Sequence, residues 1–318
     1  MRLPTFTYYQ PSTVQEVLAA LTEHPGARVL AGGTDLLVNM KHRVEQPQVL
    51  VGLGRVDGLR GIARERERTV IGARTTLKEI QQDGGLAADF PALVQAARAV
   101  GSYRHQTMGT LAGNLCQNTR CRFFNQSWEW RSVRSLCYKA GGEHCHVMNK
   151  DEVCYSTYSG DLAPALLVLD AVVRVEGLGG SREVPLADLY SGEGRTPLTL
   201  GPAEVVSAVV VPGASANGRS HYEKSSLRGS IDFPIVGAAV FRGESTVRVA
   251  FTAVDRRPVR AAALEAELDG EELTVDSITA AAPLAAKAGR VAKTTIHGVP
   301  YKRELMSALF TRAARALL

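Results

Sequence analysis

Five cysteines occur in 318 residues, and all of them fall between Thr107 and Asp170. Cys121, Cys137, Cys145 and Cys154 follow one another with 15, 7 and 8 residues between them. Four thiolates complete a tetrahedral zinc site, and they equally complete a cubane 4Fe–4S cluster. Zinc knuckles pair their cysteines closely, and bacterial ferredoxins also space theirs tightly. Neither pattern occurs here, so spacing alone leaves the metal open. His144 and His146 flank Cys145. They could join a zinc site, but with four thiolates present a surface or supporting role is the simpler assignment. Cys116, two residues after Asn114, reads as a small buried residue. Trp128 and Trp130 are expected to cover this segment, which has few aliphatic side chains of its own. An odd number of clustered cysteines, with no export signal, points to metal or redox chemistry in a reducing compartment.

The same window opens and closes on polar, glycine-bearing turns. It begins Thr107-Met108-Gly109-Thr110-Leu111-Ala112-Gly113-Asn114-Leu115 and ends Ser159-Gly160-Asp161-Leu162-Ala163-Pro164. A related turn, Ala31-Gly32-Gly33-Thr34-Asp35, stands earlier in the chain. Glycine at such turns lets backbone N–H groups approach an anion closely, as in phosphate nests. Neither loop is the G-x-G-x-x-G dinucleotide fingerprint or a P-loop. Taken singly, each reads as well as a tight turn, and Asp161 reads as well as a helix N-cap.

The elements that must position these residues can be read in order. A helix capped by Ser12 carries Val14, Val17, Leu18 and Leu21 on one face and stops at Pro25-Gly26. Strand Arg28-Val29-Leu30, a helix-like run from Leu36 to Lys41 and strand Val49-Leu50-Val51 make a β–α–β-type unit. A hairpin around Arg64–Glu67 follows, and then helices begun by Thr75 or Thr76 and by Pro91. Beyond the cysteine window come an apolar run from Ala165 to Leu169, strand Ala171–Val175 and strand Val205–Pro212. Residues from Pro212 to Gly218 look like a linker. Strand patterns at Ser220–Lys224, Ile235–Phe241 and Thr246–Ala253 precede alanine-rich helices near 258–268, 275–289 and 300–318. The fold class is therefore α+β. Residues 1–217 form one domain, with subdomains of about 1–55 and 56–217 and an insertion at about 119–157, and residues 218–318 form a second.

Composition excludes several classes. No run approaches the roughly 20 apolar residues that span a bilayer. Met1-Arg2-Leu3-Pro4-Thr5-Phe6 has no apolar signal core, so a cytoplasmic protein is expected. The net charge of +5 is spread along the chain without a basic stripe, which argues against a nucleic-acid partner.

Taken together, Val29–Leu36, Gly109–Asn114 and Ser159–Pro164 resemble the FAD-binding (medium) flavoprotein subunits of the molybdenum hydroxylases. That family includes xanthine dehydrogenase and carbon monoxide dehydrogenase. Tyr222-Glu223-Lys224, with Arg228 and Asp232, resembles the start of the family's C-terminal domain, so the likeness spans nearly the whole chain. It implies that Val29, Leu30, Ala31, Gly32, Gly33, Thr34, Asp35 and Leu36 wrap the FAD pyrophosphate. Thr110, Leu111, Ala112, Gly113 and Asn114 would form the second phosphate loop, and Asp161 would hydrogen-bond the flavin nucleotide. Val206 would touch the ring system, and Lys224 would lie near the isoalloxazine, where a cation stabilises the reduced flavin. Val100 stands where some relatives stack an aromatic residue on the flavin.

The cysteine spacing is similar to one branch of the family, the beta subunit of 4-hydroxybenzoyl-CoA reductase, which carries a 4Fe–4S cluster in an insertion at this place. That resemblance implies Cys121, Cys137, Cys145 and Cys154 as cluster ligands, with no catalytic residue on this chain. It also implies a large molybdopterin-binding partner, a small partner with two 2Fe–2S clusters, a dimer of heterotrimers, and ferredoxin as electron donor. Electrons would pass through 4Fe–4S and FAD to a molybdenum site that dehydroxylates the thioester. Two rivals stand beside this reading. One is the FAD subunit of a molybdenum hydroxylase with another aromatic or heteroaromatic substrate, its insertion holding iron–sulfur or zinc. The other is a stand-alone nucleotide- or metal-binding regulator.

Overall fold

A computed structural model describes residues 2–148 and 153–318, so the part of the insertion at 149–152 lies outside the described residues. Among the described residues, twelve strands form three sheets. The first is parallel, with β1 (Thr7–Tyr9), β2 (Arg28–Leu30) and β3 (Val49–Gly52) in the order β1-β3-β2. Its helix Val14–Glu23 buries Val17, Leu18 and Leu21, the face expected from their spacing. The cap is Thr13 and not Ser12. Thr13 accepts from the N–H of Glu16, and the Glu16 carboxylate reaches back to the Thr13 N–H, completing a reciprocal capping box that Ser12 is one residue too early to make.

The second sheet is antiparallel and joins distant stretches of sequence: β4 (Ile62–Glu65), β5 (Arg68–Gly72), β6 (Val172–Gly177), β7 (Gly180–Pro185) and β8 (Val205–Pro212), in the order β4-β5-β8-β6-β7. β8 is central, valine-rich and buried over seven of its eight residues, as a strand covered on both faces requires. Helices Leu77–Gln82, Pro91–Ala99 and Leu162–Val168 pack here around Phe90, Leu93, Leu111 and Leu166. The first of these starts at Thr76, which forms a second capping box with Glu79.

The chain leaves this sheet at Pro212. It passes through a short 3-10 turn, Gly213–Asn217, and enters a third sheet at Arg219. That sheet is antiparallel: β9 (Arg219–Ser225), β10 (Val236–Arg242), β11 (Val247–Thr252) and β12 (Val259–Arg260), in the order β12-β11-β10-β9. Helices Ala262–Leu268, Val275–Ala285 and Val299–Arg315 bury Leu264, Ile278, Met306 and Phe310 against it. The other face meets the preceding domain, where Tyr222, Ala239, Phe241 and Ala250 join the core built around Leu93 and Leu166. Among the described residues, no helix is long and apolar enough to cross a membrane.

Candidate flavin site and cysteine cavity

The two glycine loops meet. Gly32 lies against the backbone of Met108, so that a Cβ at Gly32 would overlap the Met108 carbonyl and stand 3.1 Å from Gly109 Cα. Nothing larger than glycine fits at this approach. Among the described residues, no acceptor is found for the backbone N–H groups of Gly32, Gly33, Thr34 and Asp35. Free donors in a row are what a phosphate nest presents, so the residues present fit the FAD pyrophosphate expected of them. Val29 and Leu30 end β2, Ala31 begins the turn, and Leu36 opens the helix that follows.

The second loop is more ordered than its sequence suggests. Thr110 caps a short helix, Leu111–Leu115, by accepting from the Gly113 N–H at 3.1 Å. Gly113 N–H is therefore engaged within the chain. Leu111 is fully buried and its N–H donates to Thr75 O at 2.9 Å, while Ala112 N–H donates to Ala73 O at 3.0 Å and Asn114 N–H to Thr110 O at 2.9 Å. Asn114 is the hinge between motifs: its side-chain oxygen accepts from Leu162 N–H at 3.1 Å, and its carbonyl accepts from the Tyr158 hydroxyl at 3.1 Å. These bonds bring Gly109–Asn114 and Ser159–Pro164 together across the cysteine insertion.

Asp161 is buried, and its carboxylate faces the second domain. It accepts from the Tyr222 hydroxyl at 2.7 Å and pairs with Lys224 Nζ at 3.2 Å. No side-chain capping bond is made. Burial raises its pKa against the opposing pull of Lys224 and of the Tyr222 hydrogen bond. Lys224 also donates to the carbonyls of Ala99 at 2.8 Å and Asp232 at 3.0 Å. That places Val100 and the 226–234 loop beside it, and Gly101 O accepts from Ile231 N–H at 2.9 Å. Tyr222 was not among the expected site residues. The signal was its spacing, since residues two apart on a strand share a face. Val206 lies in β8, opposite Val175, and is buried in the core.

The insertion folds onto this framework as a lobe. Its neck is a two-bond pairing of Arg120 with Thr157. Beyond the neck, Cys121, Cys137, Cys145 and Cys154 all line one small cavity, open at one side, together with Phe123, Phe124, Lys139, His146 and Ser156. Burial pushes the Cys121 thiol up to about 11, and its proximity to the other three adds to this. Cys154 is also raised by burial, against hydrogen bonds from Ser156. The free thiols of Cys121 and Cys154 are therefore held toward the protonated form, so binding a cation must displace their protons. Among the described residues, no group of three or more His, Cys, Asp or Glu side chains is placed to hold a metal ion.

Other members of the window separate clearly. Cys116 packs at the edge of the main core, outside the cavity, and burial pushes its thiol up to about 12. His146 lines the cavity and stacks at 5.5 Å on Phe123, whereas His144 is exposed. Trp128 is half exposed and does not cover the lobe. The interior is made instead by Phe124 and the cysteines, because thiols replace the aliphatic groups a tryptophan would pack on. Polar tethers hold the lobe to the first sheet's domain. Arg120 pairs with Asp35, with its guanidinium 3.9 Å from the Phe233 ring centre. Asn118 donates to Glu45 at 3.0 Å, and Arg131 donates to the Arg43 carbonyl at 2.7 Å. Arg120 thus joins a cysteine-bearing segment, the first glycine loop and the second domain; only its position next to Cys121 hinted at this.

Comparison with known proteins bears on both domains. Residues 4–214 match the family described as FAD binding domain in molybdopterin dehydrogenase, and residues 220–317 match the CO dehydrogenase flavoprotein C-terminal domain. The aldehyde oxidoreductase FAD-binding subunit PaoB of Escherichia coli is 32% identical, covering 99% of this chain and all of that one. The carbon monoxide dehydrogenase medium chain of Hydrogenophaga pseudoflava is 27% identical over 98% of this chain and 97% of its own. A solved structure of carbon monoxide dehydrogenase from the same organism superposes with a TM-score of 0.80 at 26% identity, covering all of this chain and 98% of that one. The chain therefore belongs to the family of FAD-binding flavoprotein subunits of the molybdopterin dehydrogenases, the oxidoreductases that include carbon monoxide dehydrogenase.

Proposed function

We propose that this chain is the electron-transfer subunit of a molybdenum hydroxylase complex, that it carries a 4Fe–4S cluster beside its FAD, and that the complex oxidises aldehydes. The observation that carries the cluster is the convergence of four cysteines, spread over 34 residues of sequence, on one cavity. A zinc ion bound by thiolates at about 2.3 Å draws its ligand sulfurs together around one point. A cubane spreads them, because each thiolate binds a different iron. Four thiols spread around a shared cavity suit the second arrangement. When bound, FAD exchanges electrons in pairs or singly and a 4Fe–4S centre exchanges them singly, so the two together suit a relay.

The chain's own residues divide the work. Val29–Leu36 and Thr110–Asn114 hold the nucleotide, with the free N–H groups at Gly32–Asp35 facing its phosphates. Lys224, half neutralised by Asp161, supplies the cation near the ring, and Val100 and Val206 are its apolar neighbours. Partners are a molybdopterin-bearing subunit and a small 2Fe–2S subunit. The substrate class rests on the PaoB relative, whose similarity extends over the full length of both chains. Reductive dehydroxylation of 4-hydroxybenzoyl-CoA rests on cysteine spacing alone and finds no support in the relatives compared, which favour the alternative of a different substrate. Oxidising an aldehyde to its acid with water releases two electrons, which leave through this chain to a one-electron acceptor such as ferredoxin.

Anaerobic purification of the tagged chain from its host tests all parts. The expected result is a yellow-brown complex of three subunits, with about four irons and four sulfides per insertion beyond those of the small subunit. It should reduce a dye with aromatic aldehydes. Stoichiometric zinc without the extra iron would overturn the cluster. Activity with 4-hydroxybenzoyl-CoA and a strong reductant, but with no aldehyde, would restore the reductase reading. A colourless chain functional alone would sink the subunit assignment.

A further inference from the structure

Among the described residues lining the cysteine cavity, Lys139 is the one cation apart from the titratable His146. Its stem is half-buried, and its ammonium is enclosed by neutral acceptors: Gly194 O at 2.6 Å, Asn118 Oδ1 at 2.7 Å, the carbonyl and hydroxyl of Thr119, and Ser156 Oγ at 3.3 Å. The Phe124 ring lies 5.0 Å from Nζ. No carboxylate among the described residues accepts from it. A buried positive charge is an expensive arrangement unless negative charge lies close by. Glu45 and Glu193 act on it without a direct hydrogen bond, and the largest such influence is Cys154, across Ser156. Ser156 Oγ stands 3.1 Å from Cys154 Sγ, and Ser156 N–H donates to the same sulfur at 3.4 Å.

The protons can be assigned. An ammonium has three to give, and its shortest contacts are Gly194 O, Asn118 Oδ1 and Thr119 Oγ1. Thr119 Oγ1 in turn lies 2.7 Å from Gly194 O and donates there. Both lone pairs of the Gly194 carbonyl are then taken. The Ser156 hydroxyl lies 2.6 Å from Thr119 Oγ1, 3.1 Å from Gly194 O and 3.1 Å from Cys154 Sγ, and a thiolate at Cys154 is the strongest acceptor of the three. Gly194 permits this packing because it has no side chain. A Cβ there would overlap Ser156 Oγ and stand 3.0 Å from Cys154 Sγ.

We propose that Lys139 is a positioning residue that raises the reduction potential of the metal centre held by the four cysteines, by fixing the Ser156 hydrogen bond on Cys154 Sγ and by standing as a positive charge behind that ligand. This rests on the cluster reading above. Hydrogen bonds to a ligand sulfur and nearby positive charge both stabilise the added electron, and hydrogen bonding is a recognised lever on such potentials. Cys154 becomes the most strongly hydrogen-bonded ligand, with two donors from Ser156.

The test is an EPR-monitored redox titration of the anaerobically purified complex, with iron and sulfide measured on the same samples. Lys139→Met is expected to keep the iron and to shift the equilibrium at least tenfold toward the oxidised centre, a fall of about 59 mV for one electron. Ser156→Ala is expected to shift it in the same direction by less. Iron retained with the potential unmoved in both variants overturns the proposal and leaves the cluster reading standing. If Lys139→Met sheds iron, Ser156→Ala decides alone: a lowered potential supports the proposal and an unchanged one overturns it. Absence of the extra iron from the unmodified complex overturns the cluster reading itself, and the inference with it.

Discussion

The flavin loops and the cysteine lobe are neighbours in sequence and are built on opposite principles. The loops are backbone structures anchored in the main core. Leu111, Leu115 and Leu162 are fully buried beside them, and Gly32 is pressed on the Met108 backbone. The lobe is a side-chain structure. Between Cys121 and Cys154, the only buried apolar residues among those described are Phe124 and three of the cysteines themselves. Its attachments are hydrogen bonds and ion pairs, among them those of Arg120, Asn118 and Arg131, of Arg122 N–H to Thr294 O and of Lys139 to Gly194 O. The first region thus folds on apolar burial whether or not a nucleotide is present. The second has too little core to fold on its own and needs ligation to supply the missing free energy.

The most drastic way to break this comparison is Gly32→Val. A branched side chain has no room at the Met108 carbonyl, so the two loops must separate. Flavin per chain, read by absorbance, is expected to fall below about a tenth of the unmodified value, because the free N–H groups no longer share one surface. Iron content should fall far less, since of the lobe's tethers only the Arg120–Asp35 pair reaches this loop, while Asn118–Glu45 and Arg131–Arg43 lie elsewhere. Full flavin occupancy in this variant would mean the close approach is incidental. The converse change is Cys145→Ser. Removing one ligand is expected to make the lobe sensitive to limited proteolysis, with cleavage between residues 121 and 154 at least about tenfold faster, while bound flavin remains. Loss of flavin together with the iron would make the two regions one cooperative unit.

The same contrast decides what could be read from sequence. β8 was legible to the residue, because a valine-rich run bounded by Pro212 reads as a strand. The helices of the second domain were legible from their alanine-rich periodicity, to within a few residues at their ends. The helix Tyr103–Met108 was invisible because it buries no residue and so has no apolar stripe. Leu111–Leu115 was hidden by its glycine and asparagine, which signal a turn; only the capping hydroxyl of Thr110 makes it helical. At the site, the cysteine set was visible because thiols are rare. The partners that give it character were not: Lys139 meets Gly194 across 55 residues, and Asp161 meets Tyr222 across 61, separations that no local pattern encodes. Trp128 misled because burial of tryptophan presumes an aliphatic interior, which the lobe lacks.

A smaller effect is expected from Arg120→Met, which cuts the tether between the two regions while leaving each intact. The pair with Asp35 is half-buried and charge-assisted, so its loss is expected to lower stability by about 1–2 kcal/mol. Thermal unfolding should drop by a few degrees at low salt, and by less at high salt as screening weakens the original pair. An unchanged midpoint would mean that Asn118 and Arg131 suffice to dock the lobe.

Cys116→Ala is the mildest change and the sharpest for the boundary between regions. Cys116 stands five residues before Cys121 and two after Asn114, where the sequence already sets it apart from the four ligands as a small buried residue. In the structure it belongs to the other region, packed at the edge of the apolar core and absent from the cavity. With its thiol pushed up to about 12, it is a protonated, unreactive group at neutral pH. Alanine removes one sulfur from a half-buried position, and the expected loss is about 1 kcal/mol or less. Iron, sulfide and flavin contents should all equal those of the unmodified chain, and the reduction potential of the metal centre should not move. A fall in iron would place Cys116 among the ligands and displace one of the four from that role. The region of flavin loops would then extend its backbone directly into the metal site, and the division drawn at the Arg120–Thr157 neck would fail.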